Sequence, residues 1–567
     1  MFEYWAYDAT SWFVGQLMDV FFRDVAARNA HLVPETGPII FVAGPHANQF
    51  VDAIVLLRKS PRRMFFIMAA VSMRRPIIGL LGKLAKAIPV ERPQDLAIKG
   101  VGLVRIPDTV NRPTTVEGID TKFTEQFEVG STIALPGNKG AAEVVAIVSD
   151  TELTIKKEFK ELEALALLTK PEGTAYKCVP HVDQARMYQA VHETLNRGEC
   201  IGIFPEGGSH DRTSLLPLKA GAAIMALGAM AANPNINVKI VPVGMNYFHP
   251  HKFRSHAVAD FGTPIEISPE LVEKFKQGGP AKREACGALL KEIQEGLMSV
   301  TVNTSDVETL QLIQAGRRLY RPKGRTFSTG DVVELTRRFV RGYEMYKDVD
   351  EVKDIARRVS EYNKDLRYYG IRDHQVDSLQ IGRRRAFAML LYRVVLLLVM
   401  ALFALPGVLL YSPVFITAKL ISRKKAKEAV AGSTVKIEGR DVIGTWKILV
   451  GLVLTPLLYT SYAWIFVWIL HRRPHLVLPW IVRLMQGRSI LVQWLMTLTG
   501  HSVMSMLWLH LGDHGMDIYK SIRPLFLVLL LGHEQAKILN ERRERLSNDI
   551  TDLIEQLAPT LYPNFIN

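Results

Sequence analysis

The chain has 567 residues, which is long enough for two or more domains with substantial cores, and it carries 70 Lys and Arg against 56 Asp and Glu, a formal net charge of +14. Such a surplus suits an anionic partner: nucleic acid, an acidic membrane surface or a phosphorylated substrate. The three cysteines, Cys178, Cys200 and Cys286, are widely spaced and form no CxxC pair. This spacing argues against a disulfide framework or a zinc site and fits a reducing compartment.

The first 30 residues predict an amphipathic helix that lies on a membrane surface. Glu3 and Asp8, the missing basic n-region and the lack of a long uninterrupted apolar core argue against a signal peptide. An aromatic-rich apolar face favours the membrane interface, while packing of the helix on the protein's own core stays open as an alternative. The apolar residues that recur at helical spacing are Trp5, Trp12, Phe13, Leu17, Val20 and Phe21.

Residues 31–107 and 179–300 together predict one α/β domain that is split by an insertion. Apolar runs such as "PIIFVAG", "ECIGIFPEG" and "VKIVPVGMNY" alternate with helical segments such as "QARMYQAVHETLNRG". Residues 108–178 break this pattern with short strands separated by Gly, Asp and Asn turns. We interpret 108–178 as a small inserted β-barrel with no evident chemistry of its own.

The second half of the chain predicts helices, part of them in a membrane. Residues 301–385 are polar and helical, residues 386–512 predict membrane-embedded helices, and residues 513–567 predict a C-terminal helical segment. The apolar stretches lie at 386–420, 446–470 and 476–512.

The first two apolar stretches exceed the roughly 20 residues that one membrane span needs. The third stretch is interrupted by Arg483 and Arg488. The first stretch has basic residues on both flanks, so the positive-inside rule does not assign its orientation. A hairpin turning at Pro406-Gly407 would put both flanks on one side. The sequence therefore predicts an integral membrane protein of open topology.

Two residues after the strand "PIIFVAG" suggest catalysis. His46 follows that strand, and Asp52 lies in the helix after it. A helix N-terminus disfavours the imidazolium form, and a nearby carboxylate can hold one ring nitrogen as a donor. The pair predicts a general base that deprotonates a hydroxyl, although capping or structural hydrogen bonding would explain the pair alone.

A second cluster, "FPEGGSHDRTSLLPLK", follows another predicted strand. Paired glycines let backbone N–H groups approach an anion, and Arg and Lys suit a phosphate, although a solvated basic loop is the alternative. There is no GxxxxGK[ST] pattern, so nucleotide hydrolysis is not supported. The candidate substrate-binding residues of this cluster are Pro205, Glu206, Gly207, Gly208, Ser209, His210, Arg212 and Lys219.

The order of four sequence blocks resembles the glycerolipid acyltransferase family. The blocks are "HANQFVD", "AIPVERPQD", "FPEGGSHDR" and "VKIVPVGMNY". Their wording, and "TWKILVGLVLTPLLY" farther on, is most similar to the fungal glycerol-3-phosphate/dihydroxyacetone-phosphate acyltransferases, and the resemblance covers nearly the whole chain. It implies an α/β acyltransferase domain with an inserted small β-barrel, followed by a helical region and an α-helical membrane region.

The resemblance also implies roles for residues at the matching positions. His46 would be the general base and Asp52 its orienting partner, with Asn48 of the same block in the substrate site. Arg92 would bind the phosphate of the acceptor, and Pro242 and its neighbours would help line the acyl site. In the third block, Glu206 and Gly207 would position the acceptor and Arg212 would pair with its phosphate.

Two positions depart from the family pattern. The usual spacing is His-x4-Asp, whereas five residues separate His46 from Asp52 here. "FPEGGSHDR" replaces the commoner FPEGTRS, which moves the basic residue.

The resemblance implies acyl-CoA-dependent acylation of the sn-1 hydroxyl of glycerol-3-phosphate, and of dihydroxyacetone phosphate, to give lysophosphatidate in the first step of glycerolipid synthesis. Acyl-CoA would be a substrate, and no cofactor, metal or nucleic acid is expected. The expected partners are the two substrates and a lipid bilayer. The expected location is the endoplasmic reticulum membrane, as a multi-pass protein with its catalytic domain facing the cytosol. A lysophosphatidate acyltransferase and a non-catalytic lipid-binding scaffold are the alternatives.

Overall fold

A computed structural model describes residues 4–302, 304, 306–320, 329–376, 379, 381–433, 435–530 and 533–561 of the chain. The strands are β1 (Phe22–Arg28), β2 (Ile39–Gly44), β3 (Met64–Ala69), β4 (Ile88–Val90), β5 (Ile98–Lys99), β6 (Leu103–Arg105), β7 (Thr115–Ile119), β8 (Thr132–Ala134), β9 (Ala141–Ser149), β10 (Glu152–Ile155), β11 (Lys177–Val179), β12 (Cys200–Ile203), β13 (Lys239–Tyr247), β14 (Ser255–Phe261) and β15 (Ile265–Glu266). The helices of the first half are α1 (Trp5–Phe21), α2 (Phe50–Lys59), α3 (Ala70–Met73), α4 (Pro76–Leu84), α5 (Phe123–Gln126), α6 (Leu162–Leu168), α7 (Ala185–Asn196), α8 (Gly221–Ala232), α9 (Pro269–Gln277) and α10 (Gly279–Val300). The helices of the second half are α11 (Val307–Leu319), α12 (Thr329–Tyr346), α13 (Asp350–Tyr369), α14 (Arg383–Ala431), α15 (Arg440–Arg472), α16 (Pro479–Met485), α17 (Ile490–Leu530) and α18 (His533–Leu561).

An eight-stranded, mostly parallel sheet forms the α/β domain. Its strand order is β1-β14-β13-β2-β12-β3-β4, with β15 pairing with β13 beside this path. The central strand β2 is buried along its whole length, as expected for a parallel strand that is covered on both faces. Ile39, Phe41 and Ala43 pack with α1 and α2, whereas Ile40 and Val42 pack with α7 to α10. The loops that follow β2 and β12 leave the same edge of the sheet, since these two strands are parallel neighbours.

The N-terminal segment corrects one prediction. The helix ends at Phe21, and residues 22–28 form the edge strand β1, which pairs in parallel with β14. Phe21 is buried in the core, so the alternative of packing on the protein's own core is correct for one face of α1. The opposite face keeps Trp5 and Trp12 about two-thirds exposed, at 67% and 65%. Contact of that face with a membrane stays a prediction.

The insertion is a seven-stranded antiparallel sheet with its own apolar core. Its strand order is β5-β11-β8-β9-β10-β7-β6, so it begins at Ile98 and not at 108, and it ends at Val179. Strands β5 and β11 pair with each other, so the chain enters and leaves the insertion side by side. An isolated antiparallel bridge links Val104 of β6 to Thr174, which precedes β11, and closure of the sheet into a barrel stays a prediction.

The helical region after residue 300 forms one core with the end of the chain. Buried residues of α11 to α13 pack against α18 and against the adjoining ends of α14 and α17. The segments predicted at 301–385 and 513–567 are therefore partners in one helical unit. Residues 562–567 of the latter prediction lie outside the described residues.

In the described residues, three helices are long and apolar enough to cross a membrane: α14, α15 and α17. The predicted hairpin at Pro406-Gly407 is wrong, because α14 continues through both residues; membrane helices tolerate an internal proline. The boundary predicted at residue 512 falls inside a helix, since α17 runs on to Leu530, and the extent of the membrane region stays a prediction. Arg483 lies in the short helix α16 and Arg488 precedes α17, so neither arginine interrupts the third apolar helix.

Candidate active site

The structure brings His46 and Asp52 together at the edge where β2 ends. Nδ1 of His46 lies 2.8 Å from Oδ2 of Asp52, and the Asp52 side chain has no exposed surface. The ring of Phe204, at the end of β12, stacks on the imidazole at 4.2 Å between centroids and thereby fixes the plane of the ring. Nε2 of His46 makes no hydrogen bond to any described residue, and the imidazole is partly exposed. The imidazole therefore presents Nε2 to the space in front of the sheet edge.

Two further donors hold the Asp52 carboxylate. The backbone N–H of Asn48 donates to Oδ2 at 2.9 Å, and the hydroxyl of Tyr247 donates to Oδ1 at 2.5 Å. Burial and the negative charge of Asp52 hold the pKa of Tyr247 well above its usual value, so the phenol keeps the proton that it donates. A carboxylate with three donors is an acceptor only, which makes Nδ1 of His46 the protonated nitrogen and leaves a lone pair on Nε2.

The additional residue between His46 and Asp52 is absorbed in the turn. Gln49 adopts a positive φ of 43°, a conformation that few residues other than glycine take, and it precedes α2 directly. Asn48, one residue earlier, then directs its N–H at Asp52. The longer spacing therefore still allows the His46–Asp52 contact.

Glu206 ties the two loops of the site together. Oε1 of Glu206 accepts from the backbone N–H of His46 at 2.8 Å. Oε2 accepts from the N–H of Leu216 at 2.9 Å and from Nε2 of His210. Nδ1 of His210 accepts from the N–H of Arg212 at 3.2 Å, which places the proton of this neutral ring on Nε2. The His46 carbonyl completes the link by accepting from the N–H of His210 at 2.9 Å.

Two cations flank Gly207. Arg92 donates from Nη1 to the carbonyl of Gly207 at 3.1 Å and makes two bonds to Asp95, at 2.7 and 3.0 Å. The ammonium of Lys219 lies so close that a Cβ on Gly207 would stand 2.5 Å from Nζ. The φ of Gly207 is +72°, a backbone conformation that favours glycine. Gly208 has open space where a side chain would point.

Ser209 and Arg212 face the segment between α14 and α15. The hydroxyl of Ser209 donates to Oδ2 of Asp441 at 2.6 Å, and Nε of Arg212 donates to the carbonyl of Val435 at 2.9 Å. Lys436 bonds the Ser209 carbonyl at 2.5 Å and pairs with Asp441. The sequence predicted Ser209 and Arg212 as substrate contacts; these hydrogen bonds commit the Ser209 hydroxyl and part of the Arg212 guanidinium to the chain itself.

Two predicted residues, Pro205 and Pro242, take positions away from the open front of the dyad. Pro205 is buried at the end of β12, where its carbonyl accepts from the N–H of Lys219 at 2.9 Å. Pro242 lies in β13 on the face that α10 covers, within packing distance of Gly262 and Gly296, whereas Tyr247 and Asp52 belong to the other face. The structure therefore does not bring Pro242 to His46.

Asn48 is buried, and Nδ2 donates to the carbonyl of Pro250 at 2.9 Å. The backbone carbonyl of Asn48 accepts from the Thr445 hydroxyl at 3.1 Å. Oδ1 of Asn48 is buried and has no partner in the described part of the chain. The side chain is therefore held by the protein on one side and keeps an unused acceptor.

Sequence reasoning missed Tyr247, Phe204 and the residues of 435–445. Tyr247 is the last residue of the quoted block "VKIVPVGMNY", and a hydroxyl at the end of a strand next to β2 was an available signal. Phe204 opens the "FPEG" block. Residues 435–445 lie more than 200 positions away along the chain in a polar connection between apolar helices, and nothing in their local pattern links them to the site.

The arrangement is suited to deprotonating a hydroxyl beside an anion. A fixed imidazole with a free Nε2 can accept a proton, and the carboxylate behind it stabilises the imidazolium that forms. Arg92 and Lys219 provide positive charge at a glycine turn, which suits a phosphate group. In the described residues there is no group of three or more His, Cys, Asp or Glu side chains that could hold a metal ion.

Comparison with known proteins gives two matching family models. One, described as the glycerol-3-phosphate acyltransferase 2 C-terminal domain, matches residues 312–562, and the other, described as acyltransferase, matches residues 149–246. The first therefore covers the helical unit and the apolar helices, and the second covers the glycine turn at 207.

Three curated relatives align with 99% of the chain. An uncharacterised acyltransferase of Schizosaccharomyces pombe is 44% identical, with 82% of its own length covered. Glycerol-3-phosphate O-acyltransferase 1 of Saccharomyces cerevisiae is 42% identical and 72% covered, and glycerol-3-phosphate O-acyltransferase 2 of the same yeast is 36% identical and 78% covered.

Proposed function

Because the chain belongs to the family of the yeast glycerol-3-phosphate O-acyltransferases, we propose that it transfers an acyl group from acyl-CoA to the sn-1 hydroxyl of glycerol-3-phosphate. The product is lysophosphatidate, and the reaction is the first step of glycerolipid synthesis. Dihydroxyacetone phosphate, which carries the same phosphate and a primary hydroxyl, is the second acceptor. The observation that carries this proposal is the His46–Asp52 contact of 2.8 Å with Nε2 left open.

In the proposed mechanism, Nε2 of His46 takes the proton of the sn-1 hydroxyl while the hydroxyl oxygen bonds to the thioester carbonyl carbon. The tetrahedral oxyanion then collapses, the C–S bond breaks, and the CoA thiolate leaves with the proton from the imidazolium. General-base action contributes about 10²- to 10⁴-fold, and positioning and oxyanion stabilisation supply the remainder. No covalent acyl-enzyme is needed, because the acceptor itself supplies the nucleophile.

We place the phosphate of the acceptor at Gly207, between Arg92 and Lys219. This placement is supported by the two cations that contact or approach the glycine from different elements. Glu206 positions the acceptor indirectly, since its carboxylate holds the His46 backbone and the loop that carries Gly207. Arg212 and His210 border the same loop.

We further propose that the protein is a multi-pass protein of the endoplasmic reticulum membrane and that its catalytic domain faces the cytosol. Three apolar helices support membrane association, and the amphiphilic donor and product suit it. A doubly charged acceptor does not enter hydrocarbon, so the open side of His46 must face water.

The test offers acceptors side by side to the full-length protein purified in detergent. With labelled long-chain acyl-CoA, we expect transfer to glycerol-3-phosphate and dihydroxyacetone phosphate, and little transfer to lysophosphatidate. H46A should remove turnover, whereas the matched variant H31A, at an exposed histidine away from the site, should keep it. Preferred transfer to lysophosphatidate would overturn the acceptor assignment. An H46A variant that keeps more than about a tenth of wild-type kcat would overturn the general base.

A further inference from the structure

The connection between two apolar helices is docked on the catalytic loops. We call residues 432–439, which join α14 to α15, the linker, and residues 204–212 the FPEGG loop. The Asp211 carboxylate of the FPEGG loop accepts three backbone N–H groups where the linker meets α15: those of Ile437 at 2.7 Å, Glu438 at 2.8 Å and Arg440 at 3.2 Å. Asp211 thus binds the N-terminus of α15, where orphan N–H groups and the helix dipole favour an anion.

The pKa of Asp211 agrees with this contact. Partial burial would raise the pKa of this carboxyl, but the N–H groups of Ile437, Glu438 and Arg440 outweigh burial and hold the pKa below its usual value. The charged form is therefore the one that the linker binds.

A second contact lies deeper. Asp441, in the first turn of α15, has no exposed surface and accepts from the Ser209 hydroxyl at 2.6 Å. Lys436 of the linker, only 11% exposed, pairs with Asp441 and donates to the Ser209 carbonyl. A buried ion pair of this kind is costly to break from one side, since removal of one partner leaves the other charge buried. The contact therefore holds the FPEGG loop in one arrangement.

The same helix also reaches the turn that carries the dyad. The Thr445 hydroxyl donates to the carbonyl of Asn48 at 3.1 Å, and Gly444 packs against the Asn48 side chain so closely that a Cβ would stand 2.5 Å from Oδ1. The backbone N–H of Asn48 in turn donates to Asp52. One element from the membrane region therefore contacts both loops that form the site.

We propose that the linker and the first turn of α15 are a positioning element of the active site, with Asp211 and Asp441 as its positioning residues. They touch no reacting atom and act through the FPEGG loop and the Asn48 turn. The inference goes beyond the proposed reaction but rests on His46 being its base. It implies that the catalytic domain reaches its working geometry only with the α14–α15 pair in place.

The experiment uses the full-length protein in nanodiscs and the variants D211N and D441N. D211N keeps the size of the side chain but loses the charge that three N–H groups bind, and we expect kcat to fall about ten- to a hundredfold, with KM for both substrates changed less than about threefold. The matched control is D108N in the insertion, where an exposed carboxylate also accepts two backbone N–H groups, from Val110 and Asn111. D108N should leave kcat unchanged.

Hydrogen exchange of peptides covering 435–441 supplies a readout that does not depend on turnover. Faster exchange in D211N together with a lower kcat supports the proposal. Faster exchange with wild-type kcat overturns it, because the contact would then be an anchor only, and unchanged exchange overturns the contact itself. If D441N fails to fold, kcat and hydrogen exchange of D211N alone decide whether the proposal holds. Failure of wild type to acylate glycerol-3-phosphate would refute the proposed function, while exchange would still report on the docking.

Discussion

Replacing Tyr247 with Phe removes one hydroxyl from behind the His46–Asp52 pair and leaves the open side of the imidazole unchanged. The hydroxyl donates to Oδ1 of Asp52, whose other oxygen faces His46. Without it, Oδ1 is left buried and lacks its donor, and the carboxylate is held only through Oδ2. We therefore expect Y247F to disorder the orientation of His46 more than it disturbs substrate binding.

The size of the effect follows from the charge on the acceptor. A hydrogen bond to a charged group contributes about 1.5–3 kcal/mol. If that energy is lost from the oriented dyad, kcat falls about ten- to a hundredfold, since about 1.4 kcal/mol corresponds to a factor of ten. KM for either substrate should change little, because Tyr247 lies on the far side of Asp52 from the open Nε2.

The matched control is Y7F. Tyr7, in α1, is buried and lies away from the dyad. Its hydroxyl donates to the carbonyl of Met64 in β3 at 3.0 Å and accepts from the N–H of the same residue at 2.9 Å. Steady-state kinetics and thermal unfolding of both variants separate the roles: we expect both to lose stability and only Y247F to lose kcat. Wild-type kcat in Y247F, or an equal loss in Y7F, would refute an orienting role for Tyr247.

Three further outcomes can be measured. R92Q and K219Q each remove a cation beside Gly207. In initial-rate measurements, each should raise KM for glycerol-3-phosphate about ten- to a hundredfold and change KM for acyl-CoA much less, whereas equal effects on both KM values would contradict the phosphate site. Changing exposed Trp5 and Trp12 to Ser should lower the activity toward long-chain acyl-CoA in membranes more than toward a short, soluble one, and equal losses would count against an interfacial α1. Burial and nearby cations lower the pKa of His251 to about 4, so between about pH 6.5 and pH 4 the unfolded chain binds a proton at this residue that the folded chain does not. The midpoint of thermal unfolding should therefore fall as pH decreases through this range. H251Q should flatten the plot of midpoint against pH there, and an unchanged slope would refute the contribution of His251.

The contact between His46 and Asp52 could be predicted because it is local. A strand, a turn and a helix place His46 and Asp52 within six positions of each other, and strand-to-helix geometry brings such residues to one edge of a sheet. The FPEGG loop follows the neighbouring parallel strand β12, so its position beside His46 follows from the same rule. The α/β domain, the interruption by a β-rich segment and the apolar helices likewise follow from hydrophobic periodicity.

What sequence could not supply depends on contacts between distant segments. Residues 22–28 continue the apolar pattern of α1, and only the open edge of β14 turns them into a strand, because pairing across more than 200 residues leaves no local mark. Pro406 and Gly407 are turn formers in water, yet in an apolar helix the packing of Trp508 against Gly407 favours continuation. The partners of Ser209 and Arg212 lie beyond residue 434, so the sequence around these two residues alone predicted them as substrate contacts.

The order of these segments along the chain has a consequence for biosynthesis. Every strand of the eight-stranded sheet precedes residue 267, the first of the three long apolar helices begins at Arg383, and the linker follows Ala431. Because a chain is made from its N-terminus and its domains fold as they emerge, the sheet and the histidine–aspartate pair can assemble before any of these three helices has left the ribosome. The residues that brace the catalytic loops arrive only afterwards, with the second apolar helix. During translation, a nascent chain would thus hold His46 and Asp52 beside loops that lack their contacts with residues 435–445, and these contacts would form only after the second long apolar helix has been made.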